Sequence, residues 1–480
     1  MGKKHKVLIM KCNQYDPEKI SSIVKRGMDE LGVKPTGNIL LKPNAVIAHP
    51  DIFPYAFTRA EFLEGVITAV IDRAKDVKEI SVGEKSGITL PTRHIFKLAG
   101  FSKVLKKHKV KAYYFDELKQ FPLKMKKKEK LRDTMFFPKP IIDCDFLINL
   151  PKFKAHPWTT LTLSLKNFIG IQDDRHRLVD HNLYLGHKIA DLQEAIQPKF
   201  IAIDAITAGQ KMMLTPTPFD MGAIVMGTNS CAVDTVCCHM VHVNPEEVTH
   251  LRNTAKRGYG PIGLQEIEVS GDYPLEEVRK KTKKFEICME RIDNYFGEDC
   301  NLRCTVGKFP AKHSPDYCWG GCPGAVQEAM HIMKAYYPNV YSEMKKIHYV
   351  VGRVEGPIDF KDDETILFVG DCTSWEGEIE GTHVKIESSF KSPDEVDEQK
   401  TKSNDLLLKT VKPLFHCLAN RNKRYVQVKG CTVSVGDHLH YFSFFGKMGN
   451  PNFDTRIVFP FILSYYKMHI VKFLNRLTGR

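Results

Sequence analysis

Short apolar runs alternate with stretches of helical periodicity over the first half of the chain, and that alternation predicts an α/β layer fold. Residues 6–10 read as a first strand and residues 17–31 as a helix. Residues 38–42 form a second strand, ending in Pro43-Asn44. Thr58 with Glu61 three positions on has the form of a capping box, which predicts a helix through Ala74. Residues 79–82, 145–150 and 200–204 predict three more strands. Each run stops at a polar or glycine-rich segment, so functional groups should gather at the carboxyl edge of a sheet.

The pattern changes near residue 270. A basic, cysteine-bearing segment follows, and residues 366–372 then open a second α/β pattern with a helical stretch at 406–418 and a strand at 425–431. The expected organisation is an N-terminal layered α/β domain with a mixed or parallel sheet (1–272), a cysteine-rich metal-binding segment (273–345) and a smaller C-terminal α/β region with an amphipathic tail (346–480). The last two predicted strands end in Gly370-Asp371-Cys372 and Gly430-Cys431. As parallel neighbours joined by a helix they would bring both thiols to one edge.

At 480 residues, 42% hydrophobic and 26% charged, the chain has the composition of a globular protein. Its net charge of +13 sits largely in lysine-rich runs at 103–132 and 279–284. Neither run carries interleaved aromatic platforms, so a nucleic-acid partner is not expected. The charge suits steering of a small anionic substrate or an acidic redox partner. The first apolar run is too short for a signal peptide, and the thirteen cysteines form no even framework, so the cytoplasm is the expected compartment.

Four of those cysteines fall in the order Cys300-x₃-Cys304-x₁₃-Cys318-x₃-Cys322-Pro323. Thiols so gathered in a reducing compartment point to a metal rather than to disulfides. Zinc knuckles more often use an x₂ spacing. The Pro323 step and the neighbouring glycines favour a 4Fe-4S iron–sulfur cluster on Cys300, Cys304, Cys318 and Cys322. Cys372 and Cys431 are further candidates, and small buried thiols are the plain alternative for all six.

Several motifs in the first domain carry a resemblance. Leu41-Lys42-Pro43-Asn44, Val82-Gly83-Glu84, residues 149–156 with Lys152 and His156, and residues 162–170 with Lys166, Asn167 and Gly170 are similar to successive motifs of the domain-of-unknown-function family 362. The resemblance runs from about residue 5 to about residue 270 and implies a fold and a site but no reaction. Members often carry an iron–sulfur domain, commonly of ferredoxin type. This chain departs there, since it lacks the C-x₂-C-x₂-C-x₃-C-P run.

Read physically, Lys42, Lys152 and Lys166 punctuate apolar strands or their ends, where lysine rarely sits without a partner. A cleft lined by Lys42, Asn44, Glu84, Lys152, Asn167 and Asp204 would bind carboxylate or phosphate groups. Lys166, between apolar neighbours, would have a depressed pKa, and with His156 is the expected catalytic pair. His181 is the other histidine of interest. The alternative is lysines paired with Glu84, Asp204 or Asp234 as structural ion pairs. At the C-terminus, cations embedded at 460–477 predict a segment too polar to span a bilayer, either docked on the protein or lying on a membrane surface. Together these features predict an iron–sulfur oxidoreductase or electron-transfer protein. The rivals are a non-redox isomerase or lyase with a structural metal–thiolate site, and a protein that handles a metal or cofactor for a partner.

Overall fold

The computed structural model describes residues 4–49, 51–126, 129–181, 184–287, 291–297, 299–310, 318, 321–391 and 406–478. The chain forms two compact units, one of Met1–Ile287 with Pro460–Arg480 and one of Cys288–Phe459.

The first unit is built on an eleven-stranded mixed sheet. Its strands are β1 (His5–Lys11), β2 (Thr36–Pro43), β3 (Lys75–Glu84), β4 (Lys111–Tyr114), β7 (Phe146–Leu150), β8 (Lys152–His156), β9 (Thr160–Thr162), β10 (Phe200–Gln210), β11 (Thr217–Phe219), β12 (Ala223–Gly227) and β13 (Ile267–Ser270). A separate hairpin joins β5 (Gln120–Lys124) to β6 (Thr134–Pro138). The main path is β13-β1-β12-β10-β7-β2-β3-β4. Neighbours from β10 through β4 are parallel, and β12 runs antiparallel to both β1 and β10. β7 is buried along its whole length, which explains its unbroken apolar run relieved only by Asn149.

The helix Pro17–Leu31 falls where the periodicity places it, with Asp16 capping the amides of Glu18 and Lys19. The helix expected from Thr58 is Ala60–Arg73, and its first turn differs from the expectation. Its N-cap, Arg59, makes no side-chain cap bond. Thr58 is buried instead; its hydroxyl accepts from the Asn44 amide at 3.0 Å and donates to the Leu150 carbonyl at 2.8 Å. Glu61 pairs with the Arg59 guanidinium at 3.2 Å. Tertiary burial thus took the residue that the local motif reserved for a cap.

The second unit holds a five-stranded sheet of β14 (Leu302–Val306), β15 (Ile347–Arg353), β16 (Thr365–Ile379), β17 (Thr382–Ile386) and β18 (Tyr425–Val428). β14, β15, β16 and β18 pair in parallel, and the far half of β16 pairs antiparallel with β17. The cysteine-bearing segment and the C-terminal α/β region therefore share one sheet, because β14 pairs with β15. The boundary expected at 272 lies at 287. The terminal helix Thr455–Leu477 also departs from expectation: over Thr455–Asn475 it is long and apolar enough to cross a membrane by length and composition, since its cations are few.

Replacing Thr58 by Val should lower stability by about 1–3 kcal/mol, because the buried Asn44 amide and Leu150 carbonyl lose a partner. Glu61→Gln should be nearly neutral. Urea midpoints for the two variants check this; equal losses would restore the capping box.

Candidate functional site

In the first unit the parallel strands β2, β3 and β7 deliver Lys42, Glu84 and Asn149 to their carboxyl ends, with Lys42 opposite Asn149 in register. The Lys42 ammonium is wholly buried and donates to Glu84, to Asn167 Oδ1 at 3.3 Å and to the Pro43 carbonyl at 3.2 Å. Three donors meet three acceptors. Burial pulls the Lys42 pKa down and raises that of Glu84 from 4.5 to about 7, while their attraction opposes both shifts.

Asn167 completes this group. Its Nδ2 donates to Asn149 Oδ1 at 2.8 Å and to the Lys42 carbonyl at 3.2 Å, and its Oδ1 accepts from Asn44 Nδ2 at 3.1 Å as well as from Lys42. Both donors and both acceptor sites are in use. Gly170 lets its own turn approach the pair: a side-chain carbon there would land on Glu84 Oε1 and 3.0 Å from Lys42 Nζ. The short helix Ser164–Asn167 is fixed by Asp234, whose oxygens accept from the Ser164 and Leu165 amides at 2.8 and 2.9 Å.

Lys152 and Asp204 form a second buried ion pair at 3.0 Å, shared with Tyr15: Lys152 Nζ donates to Tyr15 Oη at 2.7 Å and Tyr15 donates to Asp204 at 2.8 Å. Lys154 donates to the Ala56 and Met213 carbonyls at 2.7 and 3.1 Å. Lys85, also buried, pairs with Asp174 at 2.9 Å. Of the residues expected to bind substrate, Lys42 and Asn167 thus have every donor and acceptor met by protein, while Glu84, Lys152 and Asp204 are held in buried ion pairs. Asn44 is not: its buried Oδ1 has no partner among the described residues.

Lys166 is the exception among the buried cations. Among the described residues its ammonium has neither a hydrogen-bond nor an ion-pair partner. Burial first, and then repulsion from Arg177, Lys154 and Lys42, pushes its pKa well below the usual lysine range. His156, His181 and His250 surround it closely enough that Lys166 helps depress each imidazole, with burial the larger cause. The pKa of His250 falls to about 3. The Trp158 amide donates to His156 Nδ1 at 3.1 Å, so the neutral ring carries its proton on Nε2. The structure therefore gathers a buried amine of lowered pKa and an imidazole whose Nε2 carries the proton.

Tyr15, Arg177 and His250 belong to these surroundings and were not foreseen. Arg177 lies on the short helix Asp174–Leu178 and donates to the Ser86 carbonyl at 2.6 Å. A buried arginine in a run of charged residues looks solvated in sequence. Nothing local marks it. His176, by contrast, is held by Asp173 at 2.7 Å.

The second unit brings four thiols to one pocket: Cys318, Cys322, Cys372 and Cys431, with Pro323, Asp371 and Thr432 beside them. Cys322 opens the helix Cys322–Tyr336, Cys372 lies within β16 just past its parallel pairing with β18, and Cys431 follows the end of β18, so the expected parallel neighbours do bring both thiols to one place. Asp371 ties β16 to the segment after β18, its carboxylate accepting from the Gly430 amide at 2.8 Å and its own amide donating to the Gly430 carbonyl at 3.1 Å. The Val433 amide donates to Cys322 Sγ at 3.4 Å. Gly370 has φ +100°, and a side-chain carbon there would lie 3.5 Å from Cys322 Sγ and 3.8 Å from Cys372 Sγ. Burial, then Cys372 and Cys431, raises the Cys318 thiol to about 12.

Cys300 and Cys304 are not among the described residues lining this pocket; Cys304 lies on β14 opposite Tyr349. Among the described residues no three His, Cys, Asp or Glu side chains are drawn together tightly enough to hold a metal ion as they stand.

Residues 39–239 match the family described as domain of unknown function (DUF362), so this part of the chain is a DUF362 domain. The chain is similar to the thylakoid-associated protein sll1697 of Synechocystis, at 26% identity over 179 residues, covering 36% of this chain and 54% of that protein. It thus spans about half the length of that relative. The lactate racemase apoprotein of Thermoanaerobacterium thermosaccharolyticum aligns over 73% of this chain and 69% of its own at 9% identity and a TM-score of 0.32. A Thermotoga maritima protein aligns over 71% and 72% at 11% identity and a TM-score of 0.33.

Asp234 gives a pH test of the geometry around Lys166. Burial raises its carboxyl from 3.8 to about 7, opposed by the amides of Leu165 and Ser164. A raised carboxyl holds its proton more tightly when folded, so its stabilisation is full below about pH 4 and is lost as pH rises through 7. The stability of the native chain relative to Asp234→Asn should therefore fall over that window. A difference that stays constant would mean an unshifted carboxyl.

Proposed function

We propose that the chain carrying this DUF362 domain is an iron–sulfur oxidoreductase or electron-transfer protein that acts on a small anionic organic substrate beside Lys166. The observation that carries the redox part is the meeting of Cys318, Cys322, Cys372 and Cys431 at one pocket from three separate segments. Their donor set fits a thiolate-ligated cluster: four soft ligands, an amide already donating to one sulfur, and Gly370 leaving room beside two of them. Such a cluster, when bound, supplies single electrons. The chain's own part is to hold the thiols there, with Asp371 fixing β16 to the segment after β18. The cytoplasm suits this reading, since thiols there stay reduced until metal displaces their protons.

The substrate class follows from charge. Lys42, Lys85, Lys154, Lys166 and Arg177 are buried near one another, with Glu84, Asp116 and Asp174 as the carboxylates acting on them. Excess buried cation is costly unless an anion enters or an amine gives up its proton. A carboxylate or phosphate of the substrate would meet Lys166, and the orphaned Asn44 Oδ1 would accept from a substrate hydroxyl. Lys166, whose pKa burial lowers well below the usual lysine range, would take a proton, and the neutral His156 would donate a hydrogen bond from Nε2.

Anaerobic purification followed by iron and sulfide analysis tests the cluster. Cys318→Ser and Cys372→Ser should each remove most of the iron and the visible absorbance, while Cys300→Ser should keep both. Iron lost with Cys300→Ser would reinstate the ligand set that spacing alone suggests. A colourless protein with no bound iron would sink the redox reading. A non-redox isomerase or lyase is then favoured, because Lys166, His156, His181 and His250 all stand in the first unit.

Lys166→Met keeps the apolar stem and removes the charge. It should leave the unfolding temperature within a few degrees of the native value and lower turnover or anion binding at least about a hundredfold. Lys166→Arg should not rescue turnover, since a guanidinium stays protonated at neutral pH. Native anion affinity in the Met variant, measured by calorimetry, would make Lys166 a structural residue.

A further inference from the structure

We infer that the outward face of the terminal helix seats this protein on an anionic lipid surface. From Pro460 onward the helix belongs to the first unit and grips it along one side. Phe461 meets the His94 ring edge-on at 5.9 Å, Tyr465 and Met468 are buried, Lys472 pairs with Asp173 at 3.4 Å, and the Asn475 amide donates to the Glu117 carbonyl at 3.0 Å. Those positions recur every three or four residues, so they share one side of the helix.

The opposite side carries a second stripe at the same spacing. Leu463 is 73% exposed, Tyr466 55%, Ile470 61%, Phe473 61%, Leu474 52% and Leu477 69%. Single exposed apolar residues are ordinary on protein surfaces. A contiguous stripe of six marks a surface that meets something apolar.

Charge selects the occupant. Residues 455–477 hold Arg456, Lys467, Lys472 and Arg476 and no Asp or Glu; Lys472 and Arg456 are paired with Asp173 and Asp454, and the charge around the outward face follows Lys467, Arg476 and the chain's net charge of +13. A second copy would bring the same charge and be repelled, whereas anionic headgroups are attracted. Geometry then separates lying on the bilayer from crossing it. Crossing would strip Lys472 from Asp173 and Asn475 from Glu117 and would uncover Tyr465 and Met468. Lying in the interface keeps every one of those contacts and buries only the outward stripe. This reading goes beyond the proposed reaction and uses none of its residues.

The test is co-sedimentation of the full-length protein with sucrose-loaded vesicles, of phosphatidylglycerol and phosphatidylcholine mixed or of phosphatidylcholine alone. The native chain should pellet with the anionic vesicles, weaken with added salt, and come off in alkaline carbonate. A Leu463→Ser, Ile470→Ser, Phe473→Ser variant, which leaves the inward side intact, should partition about tenfold less or weaker still with an unchanged unfolding temperature. No pelleting of the native chain would overturn the inference. So would a dimer dissolved by the triple variant without vesicle binding, which assigns the face to a second copy, or resistance to carbonate, which assigns a spanning helix.

Discussion

The buried pairing of Lys42 with Glu84 is the constraint around which the first unit is arranged. Neither charge reaches water, so every remaining donor and acceptor on the two side chains must be met by protein. That demand recruits Asn167, fixes Asn44 and Asn149 through it, and leaves no room for a side chain at residue 170. The motifs at 41–44, 82–84 and 162–170 are thus three edges of one polar network. Their spacing follows from strand order, since β2 sits between β3 and β7. Removing one partner of such a pair strands the other in a low-dielectric interior, at a cost of about 3–5 kcal/mol.

The saturation of that network is what makes Lys166 informative. It stands beside Asn167 in the chain, yet among the described residues its amine has no partner, while Lys42 and Asn167 are fully bonded. The bonded network and the unpartnered amine are adjacent but chemically separate. The Lys152, Asp204 and Tyr15 group repeats the bonded half of that arrangement on β8 and β10, where it pins the loop entering the helix Ala60–Arg73 through the Arg59 amide at 3.1 Å.

In the second unit the organising element is backbone rather than charge. Cys372 and Cys431 come together because β16 and β18 are parallel, and Asp371 clasps the middle of β16 to the segment after β18. Cys322 joins them from the start of a helix, tied by the Val433 amide. The x₃ spacing between Cys318 and Cys322 carries both thiols to that place. Cys300 and Cys304 lie at the other end of a similar-looking spacing, and the strand β14 carries Cys304 into the sheet beside Tyr349.

The strands of the first unit, the helix Pro17–Leu31 and the convergence of Cys372 and Cys431 were legible in the chain, because hydrophobic period and the handedness of parallel connections are local properties. So was the meeting of Lys42 and Glu84, since each ends an apolar run, whereas Asn167 was marked only by the family-like motif it lies in. Which cation would be left unpaired was not legible. Lys42, Lys152 and Lys166 look alike in sequence, and only the folded arrangement of carboxylates distinguishes them. Thr58 shows the same limit in a hydroxyl, a local capping signal overridden by a distant carbonyl. Sequence determines which residues end at a common edge. Tertiary structure alone decides which of them find partners there, because hydrogen bonds and ion pairs are satisfied by neighbours in space.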